Sequence, residues 1–350
     1  MKIEHHNSQI DKTSSRKKDH IDLCVEENVT FREKTTRLER YELLHNALPE
    51  LNLEDVDPSV PFLGKVCATP LIINSMTGGY DEAERINREL AEVCEETKIA
   101  LGLGSQRQAI ESDRFHESWR AARRAAPSIP MFGNIGAPEV AKGIATDKIL
   151  ELIDLIEADG FAIHLNALQE LIQPEGEPRF RGVLNGIERL VRKLPVPLIV
   201  KEVGAGLSAD VVRRLLDVGV RHIDISGAGG TSWSGVELLR SLDREINDPF
   251  WDWGIPTADA LIAARPLCEE NDALLIASGG IATSRDVPIS IALGAHMVAS
   301  ARPMLKTLME HGQRQLADFL QNWERHLRFT MFLVGATNIV SLRNASVREI

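Results

Sequence analysis

Phe161-Ala162-Ile163-His164-Leu165-Asn166-Ala167-Leu168-Gln169-Glu170 decides the fold of this chain, because an apolar run breaks there into side chains that bind, orient or exchange protons. Such a junction marks a buried strand where it opens into a reactive mouth. That run, at 160–166, is joined by seven more short apolar runs, at 70–76, 100–104, 130–136, 197–203, 222–227, 274–280 and 297–302, which stop in the same way at Gly, Ser, Thr, Asn, Lys or Arg. Successive starts lie 23 to 52 residues apart, and the intervals hold amphipathic segments of helical spacing at 83–97, 138–157, 208–218 and 257–270. Leu198-Ile199-Val200 and Leu274-Leu275-Ile276-Ala277 are continuous rather than alternating, as strands covered on both faces are. Eight such units imply an α/β chain folded as a (β/α)8 TIM barrel. A doubly wound sheet competes, but it gathers its ligand at one switch point, whereas here nearly every strand ends in polar or glycine residues.

Working outward, the barrel is expected over 70–335, with a long helical segment at 304–335 closing it. Residues 1–69 form an N-terminal extension with a basic segment, and 336–350 a C-terminal tail. Residues 1–20 are too polar to fold alone and should be mobile unless anchored, and Arg16-Lys17-Lys18-Asp19-His20 concentrates charge within them. A net charge of −11 argues against nonspecific nucleic-acid binding, so an anionic ligand needs a local basic pocket. The four cysteines lack CxxC spacing, and neither a secretory signal nor a membrane-length apolar span is present, which reads as a reduced, cytoplasmic enzyme.

The strand ends form a chemical inventory. Ser278-Gly279-Gly280-Ile281 and Ser300-Ala301-Arg302-Pro303 follow the seventh and eighth runs, where barrels commonly hold a phosphate on backbone N–H groups and a helix N-terminus. Ser226-Gly227-Ala228-Gly229-Gly230-Thr231-Ser232-Trp233 can wrap a phosphate or admit a planar ring, and Lys201 brings a cation to the mouth that can stabilise a developing anion. Met76-Thr77-Gly78-Gly79 and Gly133-Asn134-Ile135-Gly136 add hydrogen-bonding groups and close backbone. Arg107, beyond Ser105, is placed to grip a phosphate or carboxylate, or equally to make an exposed salt bridge. His164 and Asn166 share one side of their strand, and Glu170 beyond Gln169 suits a Mg2+ completed by substrate oxygens and water. Without a His/Cys cluster a zinc site is not supported, and no catalytic triad can be read from spacing. The residues alone reach a barrel for phosphorylated ligands and do not name a reaction.

The ordered set does. Arg-Lys-x-Asp-His at 16–20, Met-Thr-Gly-Gly at 76–79, Ser-x-Arg at 105–107, Asn134-x-Gly136 and His-x-Asn-x-x-Gln-Glu at 164–170 are followed by Lys-Glu-Val-Gly at 201–204, Gly-Ala-Gly-Gly-Thr-Ser-Trp at 227–233, Ser-Gly-Gly at 278–280 and Ala-Arg-Pro at 301–303. In that order they resemble the type 2 isopentenyl-diphosphate isomerase family, FMN-dependent enzymes that interconvert isopentenyl and dimethylallyl diphosphate in isoprenoid biosynthesis. The resemblance implies FMN contacts at Met76, Thr77, Gly78, Ser105, Asn134, Lys201, Ser226, Thr231, Gly279, Gly280, Ile281, Ala301 and Arg302. It implies that Arg16, Lys17, Ser105, Arg107 and His164 hold the diphosphate, with Asn166 and Gln169 beside the substrate and Glu170 carrying Mg2+. It further implies reduced FMN as the principal acid and base, assisted by Gln169, with Lys201 stabilising the reduced ring, NADPH as priming reductant, and a homo-oligomer. His164 as proton donor is the alternative assignment within that mechanism.

Two other functions compete. An FMN-dependent 2-hydroxy-acid oxidase uses a similar barrel, but its catalytic His-Gly-Gly-Arg is absent, and His311-Gly312-Gln313-Arg314 lies in the late helical segment. An inert flavin- or diphosphate-binding barrel would keep the phosphate loops and gain nothing from Gln169 and Glu170.

Overall fold

The computed structural model describes residues 15–241 and 248–350, so residues 1–14 of the polar N-terminal stretch lie outside the described residues. Eight parallel strands close into a barrel: β1 (Leu71–Ile73), β2 (Ala100–Gly102), β3 (Met131–Gly136), β4 (Gly160–Leu165), β5 (Leu198–Glu202), β6 (His222–Asp224), β7 (Leu274–Ala277) and β8 (Met297–Ser300), with β8 pairing back onto β1. Each expected run contains one of them. The expected helix at 138–157 is instead two, Ala137–Ala141 and Thr146–Leu155. Gly143 lies between them at φ +79°, a left-handed conformation that glycine adopts without steric cost.

Alternation along the strands sorts the core. Phe161 and Ile163 of β4, Leu198 and Val200 of β5, and Leu275 and Ala277 of β7 pack outward with the helices, while Ala162, Ile199 and Ile276 fill the barrel interior with Phe132 and Met297. Burying each large interior side chain contributes about 1.5–3 kcal/mol. The floor is closed by an antiparallel hairpin of the extension, Val60–Phe62 with Lys65–Cys67, whose Phe62 and Leu63 join that interior cluster. By the same alternation the next inward positions, His164 and Lys201, fall at the mouth. Strand pairing sets His164 beside Lys201 and Lys201 beside Asp224.

The extension and the C-terminal segment meet outside the barrel, where Tyr41–Leu43 pairs antiparallel with Val347–Glu349. A helix over residues 15–26, α1, crosses the mouth. The long closing helix runs Arg302–Val334 with a break in its dihedrals at Gly312, and the exposed His311 and Arg314 lie at that break, inside the helical segment and not at a strand end.

Candidate active site

One cavity of about 330 Å³ lies at the C-terminal ends of the strands, and all the site residues expected from the sequence line it. They arrive from eight strand ends and from α1, so no single motif builds the site.

On one side the walls are backbone. Gly279 and Gly280 have φ of +93° and +72°, and a Cβ on Gly279 would stand 2.0 Å from the carbonyl oxygen of Gly227. A Cβ on Gly230 would meet the Gly280 nitrogen at 2.4 Å. The loops after β6 and β7 are therefore packed main chain to main chain, which only glycine permits. Among the described residues the N–H groups of Gly280 and Ile281 have no intramolecular acceptor, and the N-terminus of the Arg302–Val334 helix opens beside them. Free amides and a helix N-terminus suit a phosphate. Ser226 completes this wall at φ +37°, an uncommon conformation for a residue with a side chain. Arg302 departs from the simple expectation of a phosphate contact: its Nε donates to the Cys24 carbonyl at 2.7 Å and its Nη2 to that of Glu27 at 2.8 Å, fastening the end of α1 to the mouth.

Lys201 is buried at the base, its Nζ donating to the Glu202 carbonyl at 2.7 Å. Burial lowers its ammonium from the ordinary value, opposed by Asp224 and Glu202. Asp224 accepts from Ser278 Oγ at 2.5 Å, Asn74 Nδ2 at 3.0 Å and the Ser226 N–H at 3.2 Å. Met76, Thr77 and Gly78 line the facing wall. Gly78 lies against the Trp119 ring, and the Thr77 hydroxyl bonds Asn87.

The opposite side is cationic. Lys17 of α1 donates to the Ser105 carbonyl at 3.0 Å, and Arg16 lines the cavity next to it. Burial, then Arg16, lower the Lys17 ammonium to about 7, with Glu111 opposing and Arg107 reinforcing. Arg107 lines the cavity and is ion-paired there, facing Glu139 at 3.2 Å and Glu111 and Glu177 at 3.6 Å each. His164 Nδ1 lies 2.8 Å from Asn134 Oδ1, and burial followed by the charges of Lys201 and Lys17 lowers its imidazole to about 3. Glu170 accepts from Asn166 Nδ2 at 2.9 Å and from the Glu177 N–H at 2.7 Å. No cluster of three or more His, Cys, Asp or Glu suited to a metal occurs among the described residues.

The structure adds a residue that the sequence reading did not single out. Glu237, on the helix Trp233–Arg240, is fully buried and accepts from Gln169 Nε2 at 2.9 Å and Arg240 Nη1 at 2.5 Å, with His20 Nε2 at 2.9 Å. Burial pushes this carboxyl up, but His20, Gln169 and Arg240 outweigh it and hold it at about 2. One buried anion thus ties α1 to Gln169, occupying one of the two N–H donors of its amide. The available signal was a lone carboxylate inside the apolar stretch Gly235-Val236-Glu237-Leu238-Leu239.

Comparison with known proteins bears on this arrangement. Residues 162–349 match the family model described as FMN-dependent dehydrogenase. Isopentenyl-diphosphate delta-isomerase of Pelodictyon phaeoclathratiforme is 45% identical, the alignment covering 96% of this chain and 97% of the relative. That of Chlorobium phaeovibrioides is 47% identical, covering 95% and 96%. Among solved structures, flavocytochrome b2 superposes with TM-score 0.70 at 17% identity over 95% of this chain and 82% of that one. A mandelate oxidase does so with 0.64 at 16% over 90% of each. These two share the fold.

Proposed function

This chain belongs to the isopentenyl-diphosphate delta-isomerase family and carries its FMN-dependent barrel, and from that membership we propose that it shifts the double bond between isopentenyl and dimethylallyl diphosphate with reduced FMN and Mg2+. The observation that carries the reading is the partition of one cavity. A glycine and helix-N-terminus wall suits a flavin phosphate, a cationic wall suits a diphosphate, and Gln169 stands on the substrate side between them.

The residues fit FMN. Gly279, Gly280, Ile281, Ala301 and the helix N-terminus of Arg302 would hold its phosphate, and Lys201 would face its ring from the base, with Met76, Thr77, Gly78, Ser105, Asn134, Ser226 and Thr231 around it. When bound and reduced, FMN supplies a site that gives and takes a proton without net redox change. Around it, Lys201 provides a fixed positive charge in a buried setting, where such a charge counts for more than in water. Arg16, Lys17, Arg107 and His164 would bind the diphosphate, α1 excluding water above it. Glu170, hydrogen-bonded once on each oxygen, keeps lone pairs for a Mg2+ completed by phosphate oxygens and water, which would neutralise charge on the diphosphate. Asn166 orients that carboxylate, and Gln169, held by Glu237 through one N–H, lines the cavity beside the substrate.

NADPH as priming reductant and a homo-oligomeric assembly belong to the same reading. So does a cytoplasmic setting, which the four buried, unpaired cysteines support. Among the described residues no helix is long and apolar enough to cross a membrane. The test is stoichiometry: enzyme reduced once and freed of excess reductant should convert many equivalents of isopentenyl diphosphate. Product limited to one equivalent per reducing equivalent would refute an isomerisation.

A further inference from the structure

Asn134 is buried, and its neighbours fix which way its amide faces. The carbonyl oxygen of Leu103 can only accept, so the atom 2.5 Å from it is the Nδ2 donor. Oδ1 therefore faces His164, and because it too can only accept, the Nδ1 at 2.8 Å carries the ring's proton. In the neutral ring this leaves Nε2 as a lone pair. It lies beside Gly136, where a Cβ would stand 3.1 Å away, and makes no hydrogen bond among the described residues. A phosphate oxygen also presents lone pairs, so the two would repel unless Nε2 gains a proton.

We propose that Asn134 is a positioning residue that fixes the tautomer of His164, and that the diphosphate binds with uptake of a proton at His164 Nε2. The imidazolium then exists in the complex and not before it. The inference rests on the reading of this cavity as a diphosphate site. The charged groups acting on the ring are Lys201 from β5 and Lys17 from α1. Burial first, and then the positive charge these ammonium groups carry when protonated, hold the free imidazole at about 3, hence neutral at physiological pH. An anion seated between them reverses the local field and favours the charged ring.

The sign follows. A group whose affinity for protons rises on binding makes binding weaken as pH rises, by up to about tenfold per pH unit, from the free value up to the value in the complex. Burial also lowers Lys17, which supplies a second route to proton uptake, so the measurement must isolate the ring.

Titration calorimetry of the oxidised, FMN-loaded enzyme with isopentenyl diphosphate and Mg2+, at one pH in buffers of different ionisation enthalpy, counts protons per ligand. Protons belonging to the ligand and to Lys17 are common to wild type and His164→Gln. The wild type should take up more than the variant, the difference approaching about one proton. Asn134→Leu removes the acceptor at Nδ1 and frees the neutral ring to present an Nε2–H to the phosphate, so its uptake should fall toward the His164→Gln level while the ligand still binds. Equal proton counts in wild type and His164→Gln overturn the proposal and leave the diphosphate reading standing. Saturable heat absent from the wild type overturns both. If His164→Gln does not fold, undiminished uptake in Asn134→Leu overturns the proposal by itself.

Discussion

Replacing Glu237 with Gln removes a charge while keeping shape, at a position with no solvent exposure. Holding a carboxyl of ordinary value 4.5 down at about 2 is worth about 3 kcal/mol of native-state stability. Full burial means that solvent screening does not discount this figure. Because the folded value is depressed, the contribution is complete above the unfolded value of 4.5 and is lost as pH falls toward 2. The neutral amide also leaves Arg240 and His20 facing a weaker acceptor. Glu237→Gln should therefore lose about 3 kcal/mol at pH 7, and the deficit should shrink as the pH is lowered below 4.5. Guanidinium unfolding followed by tryptophan fluorescence, at several pH values between 8 and 3.5, measures it. A variant as stable as wild type at pH 7, or a deficit unchanged down to pH 3.5, would refute the assigned charge network.

Gly279→Ala should abolish stable FMN retention, since its Cβ would lie 2.0 Å from the Gly227 carbonyl at a φ of +93°; flavin absorbance after gel filtration reads this, and a holoprotein of normal stoichiometry would contradict it. Gln169→Ala should cut turnover by about one to two orders of magnitude with FMN affinity nearly unchanged, and unaltered turnover removes Gln169 from the mechanism. Glu170→Gln should lose most of the activation by Mg2+ in a metal titration of initial rates. A wild-type activation curve would transfer the metal to other ligands.

The fold was legible because strands covered on both faces must be apolar, and barrel strands must then stop at polar or glycine residues where the mouth opens. Runs such as Leu198-Ile199-Val200-Lys201 state both facts within a few residues. The phosphate-type loops were legible for a related reason: main chain packed on main chain excludes every Cβ, so Gly227, Gly279 and Gly280 declare themselves as residue types. Less of the polar network could be read. That Glu237 reaches back to His20, or that Arg302 spends its guanidinium on the Cys24 and Glu27 carbonyls at the end of α1, depends on contacts between residues more than 200 positions apart, to which local spacing is blind. The state of His164 was equally hidden. From sequence it is a group that titrates near neutrality, and only burial between Lys201 and Lys17 makes it a neutral ring.

The measurement closest to the central claim is proton NMR of isopentenyl diphosphate incubated anaerobically in deuterated buffer with enzyme, FMN and Mg2+, the flavin either oxidised or reduced by NADPH or dithionite. Dimethylallyl product, with deuterium entering from solvent, should form only with reduced flavin. Product formed equally well with oxidised flavin would contradict the proposed cofactor state, and no product with either, despite bound FMN, would contradict isomerisation itself.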